Sequence, residues 1–140
     1  MNLFLLKDKV AIVTGAGRGI GRSLAEGFAE AGAKVVVCAR TESELVSLNQ
    51  EIEAAGGICE YITCDVSDVA QVQKVIDFTV ERFGKLDILI NNAGMTKKIP
   101  ALDLTIDEFN EIINVNLTGV FAFAQAAGRY MVEQKSGVIY

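Results

Sequence analysis

A glycine-rich segment after the first apolar run is the first candidate for chemistry. The run Val10–Thr14 leads into Gly15, Ala16, Gly17, Arg18, Gly19, Ile20 and Gly21, within which a helix is expected to begin. Glycines let the backbone turn sharply and admit a pyrophosphate that Cβ atoms would obstruct. Free N–H groups and the dipole of a helix N-terminus attract anions. The segment therefore predicts a dinucleotide phosphate site, with an ordinary turn of positive φ as the alternative.

The spacing of this segment separates it from related phosphate loops. Its GxxxGxG pattern departs from GxGxxG, and no Gly-Lys-Ser/Thr follows as it would in a nucleoside-triphosphate loop.

A second polar segment, Asn91-Asn92-Ala93-Gly94, directly follows the apolar stretch 86–90. Taken alone it could be a simple turn, since asparagine and glycine tolerate left-handed backbone angles. After a strand of a parallel sheet, however, it would lie at the carboxyl edge, where ligands of open α/β sheets bind. We therefore expect it to face the same ligand as the glycine-rich segment.

The residues at the end of the second apolar run, Ala39 and Arg40, indicate which dinucleotide binds. NAD-selecting sites place an acid here, which holds the ribose hydroxyls and repels a 2′-phosphate. Arg40 can pair with a phosphate through charge-assisted hydrogen bonds, and Arg18 can flank it from the other side. Either arginine alone could be a solvated surface charge. Together, without an acid at this strand end, they favour NADP(H) over NAD(H).

The elements that must position these residues alternate regularly between strands and helices. Short apolar runs at 10–14, 34–38, 59–64 and 86–90 are separated by segments of helical periodicity. Capping-box pairs, Thr41 with Glu44 and Thr105 with Glu108, mark two helix starts, and the last helix is expected to break near Asn114–Asn116. Such alternation implies right-handed crossovers and a parallel sheet covered on both faces. We expect an α/β fold, a Rossmann-type doubly wound sheet in three layers.

Composition excludes several classes of function. With 13 basic and 18 acidic residues the net charge is −5, and without a basic stripe the chain is a poor nucleic-acid binder. The absence of histidine excludes histidine-based triads within these residues, and the three cysteines form no CxxC pair, so no metal site is expected. The early apolar run at 3–6 is too short for a signal peptide or a membrane span, which makes the cytoplasm the default location.

Two motifs in this order resemble the short-chain dehydrogenase/reductase family: TGxxxGxG at 14–21, and Asn-Asn-Ala-Gly after the fourth strand. The resemblance spans all 140 residues, roughly the first half of a family member. It implies that Asp65, followed by Val66, accepts a hydrogen bond from the adenine amino group, and that 91–94 braces the central strands and touches the cofactor ribose. It also implies that Asn116, in the segment 114–119, is the catalytic asparagine, holding a water that passes protons to the active-site lysine.

The rest of the family's catalytic set is missing from these residues. The resemblance implies a reaction that moves a hydride between the nicotinamide and a carbonyl or alcohol carbon. In it a tyrosine transfers the hydroxyl proton, a lysine four residues later lowers the pKa of that tyrosine, and a serine orients the substrate oxygen. Tyr61 and Tyr140 have no lysine four residues later, and Tyr130 is followed by Lys135 at five. The segment 137–140 looks like the start of a fifth strand. We therefore expect an incomplete dinucleotide-binding domain over 1–140 that does not catalyse by itself.

Three functions remain open at this stage. The first is an NADP(H)-dependent oxidoreductase acting on a small carbonyl or alcohol; the stretch 91–100 resembles members acting on 3-oxoacyl thioesters and on sugar acids such as gluconate. The second is a dinucleotide sensor or scaffold that kept the site and lost the chemistry. The third is a half-domain that pairs with another chain through the small and phenylalanine residues at 121–128. The resemblance further implies a homo-oligomer, either a dimer or a tetramer.

Overall fold

A computed structural model describes residues 5–140; residues 1–4, including the first half of the apolar run at 3–6, lie outside the described residues. Within 5–140, five strands alternate with helices along the chain. The elements are β1 (Val10–Thr14), α1 (Gly19–Glu30), β2 (Lys34–Ala39), α2 (Glu42–Ala54), β3 (Ile58–Thr63), α3 (Val69–Phe83), β4 (Ile88–Ile90), α4 (Ile106–Ile113), a π-helix (Asn114–Gly119), α5 (Val120–Gln134) and β5 (Val138–Ile139).

The strands form one parallel sheet in the order β3-β2-β1-β4-β5. The order reverses between β1 and β4, which creates a crevice at the carboxyl ends of these two strands. Alternate side chains of β1 and β2 enter two separate cores. One core is closed by α1 and α2, and the other by α3 and α5. The expected doubly wound α/β sheet is confirmed.

The two expected capping boxes have different outcomes. At α4, the Thr105 hydroxyl accepts from the Glu108 N–H at 3.1 Å and the Glu108 carboxylate accepts from the Thr105 N–H at 2.9 Å, as predicted. At α2 the prediction is wrong: Thr41 is the N-cap, but within the described residues its side chain accepts no capping hydrogen bond. Instead, the side chain of Glu44 lies against the backbone of Gly17. The contact of Glu44 with the glycine-rich loop stands in place of the expected hydrogen bonds between Thr41 and Glu44.

The expected break in the last helix is a π-helix at Asn114–Gly119, where the chain continues without a turn from α4 into α5. Gly119 packs so closely on the segment after β3 that a Cβ would lie 2.9 Å from the carbonyl oxygen of Val66. The π-helix thereby holds Asn116 and Val115 beside the crevice.

No helix within the described part of the chain combines the length and apolar character that crossing a membrane requires.

Candidate cofactor site

The glycine-rich loop lies between β1 and α1 and contacts the segment after β4. Gly15 and Gly19 have φ angles of +62° and +61°, which residues with a Cβ rarely adopt. A Cβ at Gly15 would also lie 2.7 Å from the Cα of Ala93, and one at Gly21 would overlap the Gly15 carbonyl and the Asn92 amide. The glycines thus provide both the turn and the close approach of the two segments.

The buried hydroxyl of Thr14 joins the ends of β1 and β4. It donates to the Ile90 carbonyl at 3.3 Å and accepts from the N–H groups of Asn92 at 3.0 Å and Ala93 at 2.9 Å. The Asn92 side chain in turn donates to the Gly15 carbonyl at 3.2 Å. These bonds fix the loop and the Asn-Asn-Ala-Gly segment relative to each other at the carboxyl edge of the sheet.

A cavity of about 450 Å³ opens at this edge, beyond the ends of β1, β2, β3 and β4. Most of the residues expected to bind cofactor line it. They are Gly15, Gly17, Arg18, Gly19, Ile20, Arg40, Asp65, Val66, Asn92, Ala93 and Gly94.

The other residues expected at the site lie outside the cavity lining and support it. Ala16 is fully buried, and its N–H donates to the Cys38 carbonyl at 3.2 Å. Gly21 allows the close packing of α1 on the loop. The side-chain amide of Asn91 donates to the Val120 carbonyl at 3.4 Å and so joins β4 to α5.

The side-chain amide of Asn116 is engaged at both ends. Its Oδ1 accepts from the Met95 N–H at 2.8 Å, and its Nδ2 donates to the Met95 carbonyl at 2.7 Å. Asn116 therefore fixes the segment that follows Gly94. The role expected from the family resemblance, holding a water, stays a prediction.

The carboxylate of Asp65 is held in its charged form by its neighbours. Its Oδ1 accepts from the hydroxyl of Ser67 at 2.6 Å and from the Ser67 N–H at 3.0 Å. These hydrogen bonds, with a smaller contribution from the charge of Arg40, lower the pKa of Asp65. Both bonds use Oδ1, so that Oδ2 can accept from a ligand.

Four lining residues were missed by the sequence reasoning: Thr41, Glu44, Cys64 and Val115. Thr41 and Glu44 had been interpreted only as a helix cap, and their place in the cavity depends on the packing of α2 against the loop. Cys64 and its neighbour Cys38 are buried in one core, and their mutual hydrogen bond together with burial raises the pKa of the Cys38 thiol. No residue spacing predicts this pair.

The shape of the loop fits the phosphates of a dinucleotide. Gly19 is the first residue of α1 and lines the cavity, yet a Cβ built on it would meet no atom of the described residues within 4 Å. This space lies at a helix N-terminus, where free N–H groups favour an anion. Arg18, the N-cap of α1, adds a positive charge at the same place.

The family described as short chain dehydrogenase matches residues 9–140 of this chain. The chain belongs to the short-chain dehydrogenase family. Its members transfer hydride with a nicotinamide dinucleotide, which agrees with the cavity at the switch between β1 and β4.

Individual relatives match over the same region. A (5R,7aS)-5-hydroxy-7a-methyl-1-oxo-2,3,5,6,7,7a-hexahydro-1H-indene-carboxyl-CoA reductase of Mycobacterium tuberculosis is 42% identical over 135 residues, covering 95% of this chain and 52% of that protein. A 3-oxoacyl-[acyl-carrier-protein] reductase of Synechocystis is 38% identical, covering 96% and 55%. The crystal structure of a short-chain type dehydrogenase/reductase from Mycobacterium marinum superposes with a TM-score of 0.95 at 42% identity, covering 99% and 56%. This short-chain dehydrogenase chain thus spans about half the length of the relatives it matches.

Proposed function

We propose that the protein is an NADP(H)-dependent oxidoreductase that transfers a hydride between the nicotinamide and a carbonyl or secondary alcohol. The observation that carries the cofactor choice is that Arg18 and Arg40 line the same cavity. Arg18 comes from the loop after β1 and Arg40 from the end of β2, where Ala39 leaves out the acid that would repel a 2′-phosphate. A phosphate between two guanidinium groups gains charge-assisted hydrogen bonds from both sides.

The chain's own residues have separate tasks in this proposal. The N–H groups at the start of α1 bind the pyrophosphate, and Oδ2 of Asp65 accepts from the adenine amino group. The wall formed by Asn92, Ala93 and Gly94 orients the nicotinamide end, and Asn116 keeps Met95 in place beside it. The bound cofactor supplies or accepts the hydride. The hydroxyl proton needs a further donor, for which we expect the family's tyrosine, outside this chain.

Exchange of the arginine at the end of β2 tests the cofactor choice. We expect the full-length protein to bind NADPH at least about tenfold more tightly than NADH, a difference of roughly 1.4 kcal/mol. Arg40→Asp should reverse this preference, whereas Arg129→Asp, the same charge change at an exposed position on α5, should leave it unchanged. Equal wild-type affinities, or an unchanged ratio in Arg40→Asp, would refute the proposal.

Glu44 needs a variant of its own, because its side chain brings a negative charge to the same cavity. If the bound dinucleotide carries a 2′-phosphate, Glu44→Gln should strengthen NADPH binding relative to NADH, since a repulsive charge is removed. Weaker NADH binding with unchanged NADPH binding would instead indicate that Glu44 holds the ribose hydroxyls of NAD(H).

For the substrate we propose a 3-oxoacyl thioester or a similar small ketone, supported by one relative named as a 3-oxoacyl-[acyl-carrier-protein] reductase and another named as a carboxyl-CoA reductase. NADPH oxidation by the full-length protein with acetoacetyl-CoA and with 5-ketogluconate compares the two substrate classes suggested by the sequence. Tight NADPH binding without turnover of any carbonyl compound would favour the alternative, a dinucleotide sensor.

We also propose a homo-oligomer located in the cytoplasm. Several large apolar side chains along the α4–α5 region are exposed, which supports association with a second copy. They are Ile106, Phe109, Leu117, Phe121 and Val132. Sedimentation of the full-length protein and of Phe121→Asp tests this; a monomer in both cases would contradict it. The three free, buried cysteines are consistent with a reducing compartment.

A further inference from the structure

One arginine on α1, Arg22, bridges the glycine-rich loop and α2. Its Nη1 donates both to the carbonyl of Gly17 at 3.2 Å and to the carbonyl of Glu44 at 3.2 Å. Its Nη2 donates to the hydroxyl of Ser47 at 3.0 Å and pairs with the carboxylate of Glu51 at 2.9 Å. The guanidinium thus uses its two terminal nitrogens to hold one loop residue and three residues of a neighbouring helix.

The two carbonyls that share Nη1 belong to the two walls of the cofactor cavity. Gly17 directly precedes Arg18, and Glu44 lies in the first turn of α2, which follows Arg40. The walls touch here, since a Cβ on Gly17 would lie 3.2 Å from both the Cβ and Oε2 of Glu44. Arg22 therefore bonds to both walls of the cavity, close in sequence to each of the two arginines.

We propose that Arg22 is a positioning residue that sets the spacing of Arg18 and Arg40 and thereby the selectivity for a 2′-phosphate. This inference rests on the proposed function, because it assigns the phosphate to the space between these arginines. Arg22 itself does not line the cavity. Its side chain is 21% exposed, and that of its partner Glu51 is 57% exposed.

Other dinucleotide contacts are independent of this bridge. The loop is joined to β4 through Thr14 and Asn92, on the side of the cavity away from α2. Loss of Arg22 should therefore change the spacing of Arg18 and Arg40 and leave the contacts at the nicotinamide end in place. A loss of general stability would instead weaken every dinucleotide to the same extent.

The test compares NADPH and NADH binding in three variants of the full-length protein. Arg22→Met removes the donors and keeps an unbranched apolar side chain. Arg22→Lys keeps a cation with three donors that can reach both shared carbonyls, but not Ser47 and Glu51 at the same time. Arg82→Met is the matched control, because Arg82 pairs with Glu60 at 2.9 Å outside the cavity lining.

We expect Arg22→Met to weaken NADPH binding about tenfold and NADH binding by less than about twofold. Arg22→Lys should restore most of the NADPH/NADH ratio, and Arg82→Met should retain the wild-type ratio. Amide hydrogen exchange of Arg22→Met should rise at 15–19 and 41–45 and stay unchanged in α3, which also establishes that the variant is folded.

An NADPH/NADH ratio in Arg22→Met equal to the wild-type ratio would overturn the inference, as would an equal loss of affinity for both dinucleotides. Failure of the proposed function is recognised separately, in the wild-type protein, by a ratio near one. A wild-type ratio near one would also refute the proposed role of Arg22 in selectivity, whatever the variants show.

Discussion

Thr14→Val tests the joint between the ends of β1 and β4, because it replaces the hydroxyl by a methyl group of nearly the same volume. The wild-type hydroxyl accepts from two N–H groups, those of Asn92 and Ala93, and donates to the carbonyl of Ile90. In the variant the Ala93 N–H loses its partner, whereas the Asn92 N–H and the Ile90 carbonyl keep their hydrogen bond to each other at 3.0 Å. Thr14 is only 1% exposed, so that water cannot easily take the place of the hydroxyl.

The expected loss follows from the cost of unpaired polar groups. Each buried donor left without a partner costs about 1–3 kcal/mol. The Ala93 N–H is the donor left without a partner, and both Asn92 and Ala93 are partly exposed, so that a net loss of about 2 kcal/mol in the free energy of unfolding is expected. Since both residues also line the cavity, affinity for the dinucleotide should fall about tenfold.

Thr14→Ser is the matched control, because it keeps the hydroxyl and removes a buried methyl group at a cost of about 1 kcal/mol. Urea unfolding without cofactor measures stability, and fluorescence titration with NADPH measures affinity. If Thr14→Val were as stable as Thr14→Ser, the hydrogen bonds of the hydroxyl would not be what joins the two strands.

Three further predictions concern protonation and capping. The hydroxyl of Ser67 lowers the pKa of Asp65, so Ser67→Ala should raise it. When the pH is lowered from about 7 to about 4, the variant should therefore lose NADPH affinity at a higher pH than the wild type. Affinity curves of the two proteins that coincide would contradict this. Burial raises the pKa of the Cys59 thiol from 9.0 to about 12, so the folded state keeps this thiol protonated while the unfolded chain ionises it, and the free energy of unfolding falls as pH rises through this window. Cys59→Ala should reduce the loss of unfolding free energy at alkaline pH by up to roughly 4 kcal/mol. If wild type and variant lost the same unfolding free energy over this pH range, the ionisation of Cys59 would not be its cause. Without cofactor, Thr105→Ala should lower the free energy of unfolding by about 1 kcal/mol and Thr41→Ala by less than about 0.3 kcal/mol, because of the two only Thr105 caps its helix. Equal losses for the two variants in thermal melts would argue against this.

The architecture could be predicted because its signals are local. Short apolar runs bounded by glycine mark the strands, and helical periodicity between them implies parallel crossovers. Features of the fold that depend on contacts with neighbouring elements could not be predicted as well from the sequence. The strand expected at 86–90 is paired only over Ile88–Ile90, where β1 supplies the partner. Asp87, just before β4, bonds to both neighbouring strands through its backbone, and its carboxylate additionally accepts from the N–H of Val10 at 2.9 Å, a side-chain contact that the apolar pattern does not predict.

In the candidate site, too, some residues can be recognised from the sequence and others only from the packing of the helices. Loop residues such as Gly15 and Gly19 carry their signal in residue type, because few other residues adopt their backbone angles. The contributions of Arg22 and Glu44 have no such signal, since both look like ordinary charges on exposed helix faces. Their roles arise only when α1 and α2 pack side by side, so that one guanidinium on α1 meets a carbonyl of the glycine-rich loop and a carbonyl of α2.

Different kinds of interaction stabilise the two ends of the cavity. The end near β4 is fixed by the buried hydroxyl of Thr14 and the amide of Asn116, both bonded to backbone groups. The end near α2 is held by the partly exposed charges of Arg22 and Glu51. Hydrogen bonds to uncharged backbone groups change little with salt, whereas contacts between partly exposed charges are screened. Increasing ionic strength should therefore reduce the preference for NADPH before it reduces the binding of NADH, since NADH carries no 2′-phosphate for the charged groups to bind.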